Sequence, residues 1–141
     1  MAEKLLSVVV SVYNEEAVLE QFYRETGPVL GNLEWDYELL FVNDGSGDES
    51  LAILKRLAER DRHVKVISFS RNFGHEAAMI AGIDHSSGDG IVCMDADLQH
   101  PPSCLPEILA RLDQGYEVIN MVRTKNESAG WVKNLSSAAF Y

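Results

Sequence analysis

Short apolar runs alternate with longer stretches of helical spacing along the chain, and this alternation constrains the fold more than any single residue. Residues 6–12 are valine-rich and read as a strand buried on both faces. Residues 15–29 follow as a helix with Val18, Leu19, Phe22 and Tyr23 on one stripe, which Gly27-Pro28 should end or kink. Residues 37–43 form a second strand, closed by the turn signal Asn43-Asp44-Gly45-Ser46-Gly47-Asp48. The pattern continues with a helix over 49–60, a strand over 64–68, a helix over 74–85 and a strand over 90–94. Pro101-Pro102 then forces a turn before a helix over 105–112 and a fifth strand over 117–122. Such a succession implies right-handed crossovers and an α/β, doubly wound, mainly parallel sheet with helices on both faces. At 141 residues and 46% hydrophobic content, the chain can bury the core of one domain spanning 1–141.

Open sheets of this kind bind ligands beyond the carboxyl ends of their strands. Here those ends are polar throughout: Tyr13, Asn14 and Glu15, then Asn43 and Asp44, then Arg71 and Asn72, then Asp95, Asp97 and Gln99, and finally Arg123. Asp95, Asp97 and Gln99 occupy alternate positions of an extended segment, so they share a face and can converge on one ion. Carboxylate and amide oxygens suit Mg²⁺ or Mn²⁺, which keep places for water or phosphate. Asp-x-Asp is a common tripeptide and is often a solvated turn; its place after a buried strand favours the ion site. An ion there would stabilise charge on a departing nucleoside diphosphate.

Asp44 lies in a tight turn, where Asp often serves its own backbone or the next helix. Asp48 is better placed to cap that helix, which leaves Asp44 the freest of the turn acids to accept a ligand N–H. Arg71 and Arg123 can be surface arginines, yet at strand ends of an acidic chain their forks suit a diphosphate. His75 follows Gly74 at the start of a helix, as a cap or a ligand contact, and His100 adjoins the acidic segment. His63 and His85 read as structural or exposed.

Several classes fall away. A formal net charge of -10 argues against a general nucleic-acid binder, which needs a basic face. Cys93 and Cys104 match no zinc or redox spacing and read as packing residues of a reduced compartment. The first apolar run contains Ser7 and Ser11 and leads into Asn14-Glu15-Glu16, unlike a signal peptide. No run approaches the about 18 apolar residues of a membrane span. The chain has neither a Gly-x-x-x-x-Gly-Lys loop nor a Gly-x-Gly-x-x-Gly fingerprint.

The segments Val9-Val10-Ser11-Val12-Tyr13-Asn14-Glu15-Glu16 and Val42-Asn43-Asp44-Gly45-Ser46 resemble family 2 glycosyltransferases of the GT-A fold. Phe69-Ser70-Arg71-Asn72-Phe73-Gly74-His75-Glu76-Ala77-Ala78 and Met94-Asp95-Ala96-Asp97-Leu98-Gln99-His100-Pro101-Pro102 are similar to the polyprenyl-phosphate hexosyltransferase branch. That branch holds bactoprenol glucosyltransferases and dolichol-phosphate mannose synthases, and the glucosyl type is the nearer pattern. The resemblance runs from about residue 6 to the end. It implies base and ribose contacts from Ser11, Tyr13, Glu15 and Asp44, with Arg71 near the base or diphosphate. It also implies a metal, Mg²⁺ or Mn²⁺, on Asp95, Asp97 and Gln99, and a diphosphate on Arg123. Asp95, Asp97 and Arg123 would thus be the catalytic group.

The implied reaction transfers a hexose from a nucleoside-diphosphate sugar, UDP-glucose-like, to a polyprenyl phosphate. Members of this branch continue past the fifth strand, so the resemblance implies a chain lacking its acceptor half, with 131–141 beginning an amphipathic segment. Membrane association, at the inner face, would then belong to the full-length protein, and this chain alone would be soluble and transfer little. A family member acting on a sugar hydroxyl would need a carboxylate base, commonly in a later motif. A silent nucleotide-binding module is a further alternative. A receiver-type signalling domain needs paired acids, a lone Asp and a Lys at strand ends where this chain has Asn14-Glu15, Arg71 and Arg123.

Overall fold

The computed structural model describes residues 4–97 and 101–115 in full, and the backbone of residues 118–121 and 132–135. Its strands are β1 (Leu5–Val12), β2 (Asp36–Asn43), β3 (Val64–Ser68), β4 (Gly90–Asp95), β5 (Val118–Met121) and β6 (Val132–Leu135). Its helices are α1 (Leu19–Gly31), α2 (Ser50–Arg60), α3 (His75–His85) and α4 (Leu105–Asp113), the last entered through a 3₁₀ turn at Pro102–Cys104.

The strands lie in the order β3-β2-β1-β4-β5-β6, parallel from β3 to β5, with β6 antiparallel to β5. Both faces are covered. Leu6, Val8, Val10 and Val12 of β1 face a core shared with Leu19, Phe22 and Leu30 of α1, Leu54 and Leu57 of α2, and Leu105 and Ile108 of α4. The alternate residue Val9 packs with Leu40 and Val42 of β2 against Ala78, Met79 and Ile83 of α3. The expected doubly wound α/β architecture is therefore the one observed. Full burial of each such Leu, Val or Phe contributes about 1.5–3 kcal/mol. Gly82 lets α3 approach β1, since a Cβ there would stand 2.3 Å from Val9 Cγ1.

Two local expectations need correction. The first helix begins at Leu19, not near residue 15, because residues 14–16 are held by side chains of the turn after β2. Pro28 neither ends nor breaks α1, which continues to Gly31. Both Pro28 and Arg24 are exposed, so water can take the Arg24 carbonyl that proline leaves unpaired. The strands read from the sequence also stop at a fifth, whereas Val132–Leu135 forms a sixth that pairs with β5.

Candidate functional site

The sheet order reverses at β1: β2 and β3 lie on one side of it and β4 on the other. In open sheets of this kind ligands bind in the crevice beyond the carboxyl ends of the strands at such a reversal. Ser11 and Asp95 are register partners at this point. They project to the α3 face, as Val9 and Cys93 do one step earlier on the same strands.

The acidic residues converge here. Burial raises the Glu15 carboxyl above its ordinary value, and the fields of Asp97, Asp95 and Asp48 raise it further. Glu15 on the loop after β1 thus shares one negative region with Asp95 and Asp97 after β4. Among the described residues no three His, Cys, Asp or Glu side chains form a metal cage by themselves. Asp95 and Asp97 are nonetheless a hard-oxygen pair suited to a divalent cation that completes its shell with water and phosphate oxygens. Gln99, expected as a third ligand, and Arg123, expected at the diphosphate, lie outside the described residues, as does His100. Burial pushes the adjacent Cys93 thiol up to about 12, so it is no nucleophile.

The other end of the crevice is built from three loops tied together. Asn14, in the left-handed region at φ 54°, donates its N–H to Ser46 Oγ at 2.9 Å and accepts from the Gly47 N–H at 2.8 Å. Glu15 N–H donates to Ser50 Oγ at 2.9 Å and Glu16 N–H to Asp48 Oδ2 at 3.2 Å. Asp48 Oδ1 also accepts from Ser50 N–H at 2.9 Å, so it serves the start of α2 as expected.

Asp44 departs from expectation. It is 3% exposed, and its carboxylate accepts from Phe73 N–H at 2.7 Å, Gly74 N–H at 3.1 Å and Asn72 Nδ2 at 3.1 Å. It is the most engaged acid of its turn rather than the freest. Gly45 completes the junction: at φ 71° it packs on the next loop, and a Cβ would lie 2.2 Å from the Arg71 carbonyl carbon.

These loops enclose a cavity of about 220 Å³ lined by Ser11, Val12, Tyr13, Asp44, Asn72, Gly74 and His75. Tyr13 and Phe73, each 50% exposed, stand at the site without packing into the core. The Arg71 guanidinium lies 4.0 Å from the Phe73 ring centroid, and its Nη1 donates to the Asn72 carbonyl at 3.2 Å. His75 Nδ1 and Ser11 Oγ are 3.0 Å apart. The structure thus gathers Ser11, Tyr13 and Asp44 around one cavity, puts Glu15 in the acidic region, and sets Arg71 on the loop above. The polar strand ends already included Asn72, whereas the sequence pattern did not disclose Gly74 as a lining residue. Its signal was the Asn-Phe-Gly that follows a strand and precedes a helix.

This fold is that of GT-A glycosyltransferases. The chain belongs to glycosyl transferase family 2, whose profile it matches over residues 7–140. It is 47% identical over 135 residues to the uncharacterized glycosyltransferase YkcC of Bacillus subtilis, covering 96% of this chain and 42% of that protein. It is 41% identical over 133 residues to an undecaprenyl-phosphate 4-deoxy-4-formamido-L-arabinose transferase of Enterobacter, covering 94% of this chain and 40% of that one. The chain therefore spans about two fifths of the length of these relatives. Glucosyl-3-phosphoglycerate synthase of Mycobacterium tuberculosis, solved with UDP, superposes with TM-score 0.62 at 25% identity over 79% of this chain and 41% of that one. The same enzyme solved with Mn²⁺, UDP-glucose and phosphoglyceric acid gives TM-score 0.61 at 24% identity, over 77% and 39% of the two chains.

Proposed function

We propose that this chain is the donor-binding part of a glycosyltransferase that moves a hexose from a UDP-like nucleoside-diphosphate sugar to a polyprenyl phosphate. The observation that carries the reading is the reversal of the sheet at β1, which sets the loop-bound cavity beside Asp95 and Asp97. The UDP bound by the mycobacterial enzyme and the lipid phosphate named for the Enterobacter relative support the donor and acceptor classes.

The nucleoside would enter the cavity between Ser11, Tyr13 and Asp44, with Arg71 beside the base or diphosphate and Glu15 near the ribose. Its diphosphate would extend across Ser11 toward Asp95 and Asp97, and Gln99 and Arg123 would complete that end. A Mg²⁺ or Mn²⁺ ion held by Asp95, Asp97 and Gln99 would offset the charge of the leaving diphosphate. In the transfer, an acceptor phosphate oxygen bonds the anomeric carbon. The bond from that carbon to the donor diphosphate breaks, and its electron pair leaves with the nucleoside diphosphate. An anionic acceptor needs little help from a general base, so orientation and leaving-group stabilisation dominate. The acceptor is a lipid, which puts the whole protein's reaction at a membrane surface, proposed as the inner, cytoplasmic face. Among the described residues no helix is long and apolar enough to cross a membrane.

Calorimetric titration of UDP-glucose and GDP-mannose, with and without Mn²⁺, tests the reading on this chain and on Asp97→Ala. UDP-glucose should bind more tightly with Mn²⁺, and Asp97→Ala should remove that gain, weakening binding about tenfold or more. Affinity indifferent to both metal and substitution would refute the metal assignment.

A further inference from the structure

We propose that His75 is a donor-contacting, specificity-determining residue that hydrogen-bonds the nucleoside through Nε2 while the Ser11 hydroxyl fixes its ring through Nδ1. The inference rests on the nucleotide reading above and assigns to the ligand a residue that the sequence pattern left open between a helix cap and a ligand contact.

His75 is the first residue of α3, a position where a polar side chain often serves the helix itself. It does not do so here, because no side chain caps α3 and the backbone N–H groups of Phe73 and Gly74 go to Asp44. The ring instead turns to the end of β1, with Nδ1 3.0 Å from Ser11 Oγ. That bond is not what docks the helix. Buried Ala78, Met79 and Ile83, and the close approach of Gly82 to Val9, already hold α3 to the sheet. An exposed neutral hydrogen bond adds only about 1 kcal/mol or less to such packing.

The pair has a different effect: it orients an exposed imidazole against the cavity wall. Nε2 has no hydrogen-bond partner among the described residues, and the ring lines the cavity with Tyr13 and Asp44. When the Ser11 hydroxyl donates to Nδ1, the neutral ring carries its proton on Nε2 and offers it to a carbonyl or hydroxyl oxygen of the ligand. Ser11 is also the register partner of Asp95. One hydroxyl thus stands between the imidazole that meets the nucleoside and the carboxylate that begins the acidic segment. His75 touches the ligand, and Ser11 is its positioning residue.

The experiment uses this chain, His75→Ala, His75→Asn, Ser11→Ala and Ser11→Thr, titrated with UDP, uridine monophosphate and inorganic pyrophosphate in the presence of Mn²⁺. His75→Ala should weaken UDP and uridine monophosphate by the same factor, about three- to tenfold, and leave pyrophosphate unchanged. His75→Asn, which keeps a donor, should recover part of the loss. Ser11→Ala should show a smaller loss of the same kind that Ser11→Thr restores. The melting temperatures should stay together, since the bond is exposed. Unchanged UDP affinity in His75→Ala, or an equal loss of pyrophosphate, overturns the assignment while leaving the nucleotide reading intact. If the parent chain binds neither UDP nor UDP-glucose at millimolar concentration, the reading falls and the inference with it.

Discussion

Asp44 shows how a residue can be placed correctly by sequence and understood wrongly. Its position after a strand marked it for the crevice, and it lines the cavity. The sequence could not show that the Asn72 side-chain amide and the Phe73 and Gly74 N–H groups, nearly thirty residues away, would turn into its carboxylate. Turn chemistry is local, whereas these partners depend on which strands become neighbours. Asp44→Asn replaces one accepting oxygen with an amide that faces N–H donors. Leaving such buried groups unpaired costs about 1–3 kcal/mol, which thermal denaturation should register, with weaker UDP binding alongside. Asp95 and Asp97 were legible for the opposite reason: their placement follows from one strand and its end.

Among the elements, the first five strands were read nearly to the residue, most securely β1 and β2, which are buried on both faces and need continuous apolar runs. The start of α1 was not, because residues 14–16 are held by side chains distant in sequence, which leaves no local signature. Helix α1 also contains Thr26, whose fully buried hydroxyl has no partner among the described residues. Thr26→Val keeps the branched shape and removes that group, so it should stabilise the chain by about 1 kcal/mol in urea titration.

At the far end of the sheet, Glu38 on β2 is 2% exposed and ties the α3–β4 connection to the strand. It accepts from Ser7 Oγ, from Ser87 N–H at 2.7 Å and from Lys65 Nζ at 3.0 Å. Burial alone would raise its carboxyl, but the Ser7, Ser87 and Lys65 interactions together hold it below the ordinary value of 4.5. A depressed carboxyl stabilises the fold above the unfolded pKa, and the contribution disappears as pH falls through the folded value. Stability should therefore drop below about pH 4.5, and Glu38→Gln should flatten that acid limb when melting temperature is followed against pH.

For the molecule as a whole, the alternation of elements gave the doubly wound class, but the order β3-β2-β1-β4-β5-β6 depends on pairings that no single segment specifies. That order selects which two of the polar strand ends meet. The net charge of -10 sets the electrostatics around them, so a diphosphate approaching Asp95, Asp97 and Glu15 without a cation meets repulsion. UDP and Mn²⁺ added together should raise the melting temperature more than the sum of either alone. At a hundredfold excess over Kd the linkage is about 2.7 kcal/mol, and scanning fluorimetry measures it directly.

Gly45 carries a consequence for attempts to redesign the cavity. Because its absent side chain lets one connection rest on the backbone of another, the amino acids lining the cavity are not independent positions on a rigid support. Swapping one of them from a homologue imports a residue shaped for different neighbours. The natural unit of exchange is the whole knot of three connections, after β1, β2 and β3, moved together with the glycine that lets them touch.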